Sequence, residues 1–194
     1  PYLVGVQGAV ADAGIRDRMS ERFLDKLPPL LPGGAILTAG NTCLMHDGAA
    51  FLMVASERYV KEHNLTPLAE IVDSVTVGGN PDKSPETAIF AIRKLLAKTG
   101  HTAEDIAVFE CNEAFAVIDE LFARDYPEAV DRYNRYGGAL AYGHPYGASG
   151  GIITIHACRA LQETPGYAVC SIAAAGGIGH ALLLWSGVNA EKLI

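Results

Sequence analysis

The apolar positions of this 194-residue chain predict that strands and helices alternate from residue 35 onward. Continuous apolar runs of four to eight residues are typical of buried strands, whereas apolar residues that recur every three or four positions indicate a helix. The runs interpreted as strands are AAFLMVAS (Ala49–Ser56), EIVDSVTV (Glu70–Val77), IAVFEC (Ile106–Cys111), YAVCSIAA (Tyr167–Ala174) and HALLLW (His180–Trp185).

Helical spacing and capping residues place the helices between these runs. Ser56 is suited to cap the segment ERYVKEHN, and Ser84-Pro85-Glu86 supplies a cap, a proline for the first turn and an early acid. The latter helix is predicted to end at Gly100, and another covers residues 149–162 with Ser149 as its cap. The apolar stripes predicted to be buried are Ile89, Ile92, Leu95 and Leu96, and, in a helix following directly on Asn112, Phe115, Ile118, Leu121 and Phe122.

This order of elements predicts an α/β layered domain with a mixed sheet, because strands alternate with helices and the last two form a hairpin. Residues 1–34 differ from the rest, since proline and glycine interrupt them and they offer one helical stretch, RDRMSERFLDKL. We therefore expect a short loop-domain remnant over residues 1–34 and the main domain over residues 35–194.

Composition narrows the classes of function. The net charge of −7 argues against nucleic-acid binding, which needs clustered Lys and Arg. No apolar run is long enough to span a membrane and no charged-then-apolar leader is seen at the start, so we expect no membrane partner. The chain opens at Pro1 without a Met, so we expect a processed product, a fragment or an incomplete chain. Four cysteines without paired spacing indicate reduced thiols and a cytoplasmic protein. Cys43 and His46 form an isolated pair, so we expect no metal site.

Two polar residues stand where ligands usually bind in α/β proteins. Asn112 follows a predicted strand, and His144 lies inside the glycine-rich stretch GGALAYGHPYGASGG. Such a loop lets a thioester or phosphate approach the backbone closely, while an Asn side chain can stabilise an oxyanion. The plainer alternatives are a helix cap at Asn112 and a surface loop around His144.

The sequence around these residues resembles the carboxyl-terminal half of a thiolase. The likeness is carried by NEAF (Asn112–Phe115), by the glycine-rich stretch, and by TAGNTCLMHDGAAFLMVASE (Thr38–Glu57), and it covers about residues 33–187 in the family's order. It implies a thiolase-like carboxyl-terminal domain, α/β, whose mixed sheet has helices on both faces.

The resemblance also implies the chemistry. His144 would activate a nucleophilic cysteine, and Asn112 would hold a water that stabilises the thioester oxyanion. Coenzyme A and acyl-CoA would be substrates, with no further cofactor. The residues expected to line the substrate site are Gly143, Gly147, Ala148, Ser149, Gly176 and Gly177.

The chain departs from the family pattern at two points. Nothing in it resembles the surroundings of the nucleophilic cysteine, which lies in the amino-terminal half of thiolases. A second chain would then supply it, in a dimer or tetramer of such pairs.

The second, acid/base cysteine aligns with Ala173. Cys170 lies three residues earlier and so is expected on the opposite face of the strand, unless a bulge shifts the register. His180 is the other candidate acid/base.

The sequence is compatible with three functions. The first is one subunit or processed half of a thiolase-type acyltransferase, which cleaves a 3-oxoacyl-CoA with CoA or condenses acyl-CoAs. The second is a non-catalytic scaffold that binds acyl-CoA. The third is half of a related condensing enzyme, such as a hydroxymethylglutaryl-CoA synthase or ketoacyl synthase. Because both Asn112 and His144 are present, we favour the acyltransferase.

Overall fold

A computed structural model describes residues 12, 14, 15 and 19–187 of the chain. These residues form four strands, six helices and four short 3-10 turns. In chain order the elements are α1 (Glu21–Leu24), α2 (Glu57–Glu62), β1 (Glu70–Gly78), α3 (Glu86–Thr99), β2 (Ile106–Cys111), α4 (Val117–Asp125), α5 (Ala139–Tyr142), α6 (Ser149–Glu163), β3 (Gly166–Ala174) and β4 (Ile178–Ser186).

The four strands form one mixed sheet in the order β1-β4-β3-β2. Strands β2 and β3 run parallel, whereas β4 is antiparallel to both of its neighbours. The predicted hairpin is present, since three residues join β3 to β4 and the register pairs Ala174 with Ile178. The carboxyl ends of β2 and β3 therefore meet at one edge, where Asn112 begins the next loop.

Helices cover both faces of this sheet, as expected. Along β2 the side chains alternate, so that Phe109 packs with α3 and α4 while Val108 packs with α6. Helix α3 buries the four predicted residues and ends at Gly100, whose φ of +74° suits glycine. Each large side chain buried in this way stabilises the fold by roughly 1.5–3 kcal/mol.

The predicted strand at residues 49–56 is wrong. The segment pairs with no strand among the described residues, and its apolar side chains face solvent, with Phe51 91% and Met53 77% exposed. An apolar run predicts that a segment is buried but does not identify the surface that buries it. Ser56 nevertheless caps α2 as predicted, because its hydroxyl accepts a hydrogen bond from the Tyr59 amide at 3.2 Å.

Three predicted helix starts are also displaced. Helix α3 follows Pro85 and not Ser84, whose hydroxyl donates to the Pro81 carbonyl. Helix α4 begins only at Val117, because the preceding loop hydrogen-bonds to another segment and does not wind into a helix. Ser149 lies within α6 and does not cap it, since its hydroxyl contacts His144.

The amino-terminal region contains little regular structure among its described residues. The predicted helix RDRMSERFLDKL is reduced to the single turn α1, and its residues 16–18 lie outside the described part of the chain. Pro29 forms a bridge with Thr38 across the predicted boundary at residue 35, which stays a prediction. Within the described ranges, no helix combines the length and hydropathy needed to cross a membrane.

Candidate functional site

Asn112 lies at the carboxyl edge of the parallel strand pair. Its backbone amide donates to the Ser171 carbonyl of β3 at 2.9 Å, which continues the ladder by one residue beyond β2. Asn112 is 2% exposed, so other residues pack around it on all sides. Its side-chain Nδ2 lies 3.4 Å from Nε2 of His144, and the structure therefore brings the two predicted site residues together across 32 positions of sequence.

His144 is held by both its backbone and its ring. The backbone amide donates to the Leu44 carbonyl at 2.8 Å, and the His144 carbonyl accepts from the His46 amide at 3.5 Å. The ring is half-buried, with Nδ1 2.5 Å from the Ser149 hydroxyl and Nε2 near Asn112. The imidazole is thus oriented by contacts at both nitrogens, as a catalytic base requires.

The surroundings of His144 favour its neutral form. Asn112 and Ser149 carry no charge, and burial lowers the pKa of the imidazole below its ordinary value. With the Asn112 amide nitrogen facing it, Nε2 accepts a hydrogen bond while Nδ1–H donates to Ser149. A neutral imidazole with an acceptor Nε2 can take a proton from a thiol.

The segment 41–46 joins the two loops, and sequence reasoning missed this role. The Asn41 carbonyl accepts from the Ala116 amide at 3.0 Å, and the Cys43 amide donates to the Ala114 carbonyl at 3.1 Å. On its other side the segment pairs with His144 through Met45. The segment lies inside the family-like stretch Thr38–Glu57, but that likeness does not identify its hydrogen-bond partners.

The buried side chain of Glu113 links the loop after β2 to residues 134–140, which precede His144. Glu113 accepts from Asn134 Nδ2 at 2.6 Å and from the Leu140 amide at 3.4 Å. Asn134 also pairs with the backbone of Cys111 through both ends of its amide, at 2.8 and 3.0 Å. These contacts of Glu113 orient the loop that follows β2. No sequence pattern predicted the role of Asn134, which lies just before a glycine-containing turn.

The predicted substrate residues fall into two groups. Gly143 and Gly177 are required by the fold, since a Cβ would lie 1.9 Å from His46 Nδ1 at the first and 2.4 Å from the Gly79 carbonyl oxygen at the second. Gly147 and Gly176 face open space. Ala148 caps α6, and Ser149 contacts His144. Substrate contact at these positions stays a prediction.

The contrast between two glycines of one loop gives a stability test. Gly143→Ala is expected to lower the free energy of unfolding by about 2–4 kcal/mol, because φ is +93° and the new methyl group overlaps His46. Gly147→Ala is the matched control, expected to change it by less than about 1 kcal/mol. Urea unfolding of both variants measures the difference, and equal effects would contradict this description of the loop.

The two candidates for the second acid/base do not reach His144 through any contact in the described part of the chain. Cys170 is 4% exposed beneath α6, where burial raises the pKa of its thiol well above the ordinary value. Ala173 packs toward the opposite face, as the strand period predicted. His180 is exposed, with Nδ1 3.0 Å from the Thr76 hydroxyl on edge strand β1.

Metal ligation has no support in the described ranges of the chain, which contain no group of three or more His, Cys, Asp or Glu placed to hold an ion. Cys43 is half-buried, with a pKa raised by that burial, and His46 Nδ1 lies 3.5 Å from the Leu44 carbonyl.

Known proteins match most of this chain, including the sheet and the loops that carry Asn112 and His144. The family model for the thiolase C-terminal domain matches residues 65–186. An acetyl-CoA acetyltransferase from Synechocystis is 41% identical over 181 residues, which are 92% of this chain and 46% of that protein. The crystal structure of human mitochondrial 3-ketoacyl-CoA thiolase in complex with CoA superposes with a TM-score of 0.80 at 37% identity, covering 90% of this chain and 45% of that one.

A third match agrees with these two. The Bacillus anthracis acetyl-CoA acetyltransferase superposes with a TM-score of 0.84 at 32% identity, covering 90% of this chain and 44% of that one. The chain thus spans about half the length of the curated relatives it matches. The sheet, the paired Asn112 and His144 loops and these matches agree, and the chain belongs to the thiolase family, of which it represents the carboxyl-terminal domain.

Proposed function

We propose that this chain is one half of a thiolase-type acyltransferase whose nucleophilic cysteine is supplied by a second chain. The enzyme would cleave a 3-oxoacyl-CoA with CoA or condense acyl-CoAs. The observation that carries the proposal is the placement of a neutral, half-buried His144 between Asn112 and Ser149. Family membership gives the class of chemistry, and this geometry provides a base suited to it.

The proposed acylation step uses His144 as a general base. Nε2 takes the proton of the partner's thiol, and the thiolate attacks the thioester carbonyl carbon to form a tetrahedral intermediate. Asn112, through a bound water, stabilises the oxyanion. The intermediate then expels the CoA thiolate, which receives the proton from His144, so charge and protons balance. CoA is a substrate here, and the human relative crystallised with CoA supports that assignment.

The need for a second chain is supported by an exposed apolar surface next to the site. Segment 44–54 connects the His144 backbone to α2, and most of its large side chains face solvent. Apolar patches of this kind usually mark interaction surfaces. We propose that the half carrying the nucleophile covers it, in a dimer or tetramer of such pairs. The exposed side chains are Leu44, Met45, Phe51, Leu52, Met53 and Val54.

This surface predicts how the purified chain behaves. Alone, it is expected to aggregate or self-associate, because burying each of these side chains gains roughly 1.5–3 kcal/mol. Replacing both Phe51 and Met53 by Ser is expected to suppress aggregation and to weaken capture of a partner. Val130→Ser, at a residue 49% exposed far along the sequence, is the control. Sedimentation velocity measures the association of the wild type, the double variant and the control. A monodisperse wild-type monomer would contradict the two-chain proposal.

A non-catalytic scaffold is the second candidate, and Ala173 favours it. A methyl group stands where the family pattern has its acid/base cysteine, and neither Cys170 nor His180 contacts His144 within the described residues. The scaffold would bind acyl-CoA without transferring the acyl group, so the acylation assay separates the two functions. The cytoplasmic location also stays a prediction, since relatives include mitochondrial and peroxisomal thiolases.

A further inference from the structure

Tyr146 has a backbone conformation that its side chain disfavours. Its φ is +36°, and among the described residues the other non-glycine residues with positive φ are Asn64 and Asn134. Asparagine tolerates this left-handed region because its short amide can hydrogen-bond locally, whereas an aromatic residue is strained there. Strain of this kind persists where the surroundings impose it, and it often accompanies a functional site.

Core packing does not compensate for this strain. The Tyr146 side chain is among the exposed large side chains, with 62% of the residue accessible to solvent. Its ring contact is with His144, at 5.1 Å between the ring centroids and an interplanar angle of 33°. The left-handed turn therefore places an aromatic ring beside the imidazole and gains little burial elsewhere.

The ring completes the surroundings of His144. Asn112 contacts Nε2, Ser149 contacts Nδ1, and the imidazole of His46 packs at Gly143 on the adjoining segment. None of these neighbours is a carboxylate or a permanent cation. Exclusion of water by the surrounding groups is thus the effect that sets the charge of His144.

We propose that Tyr146 is a positioning residue that shields the His144 imidazole from water and holds it in its neutral form. Its value to catalysis rests on the proposed function, because a neutral base is needed only if a thiol is to be deprotonated. The strained turn then lowers the stability of the fold and raises the activity of the site, an effect not expected of a residue that serves packing alone.

The test compares Tyr146→Gly with Tyr146→Phe in the full chain, purified with whatever protein accompanies it and labelled with 15N-histidine. Glycine relieves the strained φ and removes the ring, whereas phenylalanine keeps the ring. In Tyr146→Gly the midpoint of the His144 titration is expected to rise by about 0.5–1 pH unit, and the melting temperature is expected to rise by a few degrees. Tyr146→Phe is expected to match the wild type in both.

His144→Gln identifies the His144 signal by its loss. Acylation of the thiol by acyl-CoA at pH 6.5 is expected to fall severalfold in Tyr146→Gly. It is expected to recover at pH 8, where His144 is neutral in both the wild type and the variant. An unchanged titration in Tyr146→Gly would overturn the shielding role, and a lower melting temperature would show that the ring serves packing instead. Absence of acylation in the wild type would refute the proposed function, while the titration would still decide the role of Tyr146.

Discussion

Replacing His144 by alanine is expected to slow acylation of the partner's cysteine by about 10²–10⁴-fold, because the base that deprotonates the thiol is removed. The same change costs the fold only about 1 kcal/mol, since the ring is half-buried and makes two hydrogen bonds to neutral groups. Assembly with the partner should be unaffected, because the contacts of segment 41–46 with the loop are made by the backbone.

Stopped incubations with acyl-CoA, read by mass spectrometry of the acylated cysteine, measure this effect. His63→Ala is the control, since His63 is exposed just after the end of α2, where its ring contacts Tyr59. It should acylate at the wild-type rate. If His144→Ala also acylates at that rate while remaining folded and assembled, His144 has no part in the mechanism.

The second large effect concerns the missing acid/base. In the proposed mechanism acylation uses His144, Asn112 and a thiol, but exchange of the α-protons of acetyl-CoA with solvent needs a further base. A methyl group at Ala173 cannot serve, so the wild-type complex is expected to acylate while exchanging α-protons slowly. Ala173→Cys is expected to accelerate exchange by about 10²–10⁴-fold if its thiol comes within hydrogen-bonding reach of the α-carbon.

Cys170→Ala separates the alternatives. Cys170 is buried beneath α6, with its Sγ 3.7 Å from the Ile153 carbonyl oxygen, and burial holds its thiol protonated. Its removal is therefore expected to leave exchange unchanged and to cost some stability through the small cavity it leaves. Deuterium exchange followed by proton NMR measures both variants. Loss of exchange in Cys170→Ala would identify Cys170 as the base and would refute the alignment through Ala173.

The elements that sequence predicted well are those fixed by local spacing. Helix α3 follows from apolar residues every three or four positions and a glycine at its end, and strand period placed Cys170 and Ala173 on opposite faces. The failures involve distant partners. Ser149 has the composition of a cap, yet His144 takes its hydroxyl, and residues 49–56 have the composition of a strand without a described strand to pair with.

The candidate site shows the same division. Asn112 and His144 were identifiable from the residues around them, but their support was not. The backbone hydrogen bonds of Asn41, Cys43 and Leu44 involve main-chain groups that every residue carries. No side-chain pattern therefore predicts them. The Tyr146 conformation was equally hidden, because a left-handed tyrosine is unexpected from its composition.

The most direct test of the central claim is the location of the acyl group. The complex of this chain with its co-purifying protein is incubated with acetyl-CoA, and peptide mapping by mass spectrometry locates the adduct. We expect an acetyl thioester on one cysteine of the second chain, formed in the presence of His144 and lost in His144→Ala. An adduct on Cys43 or another cysteine of this chain, or acyl-CoA bound without any adduct, would contradict it.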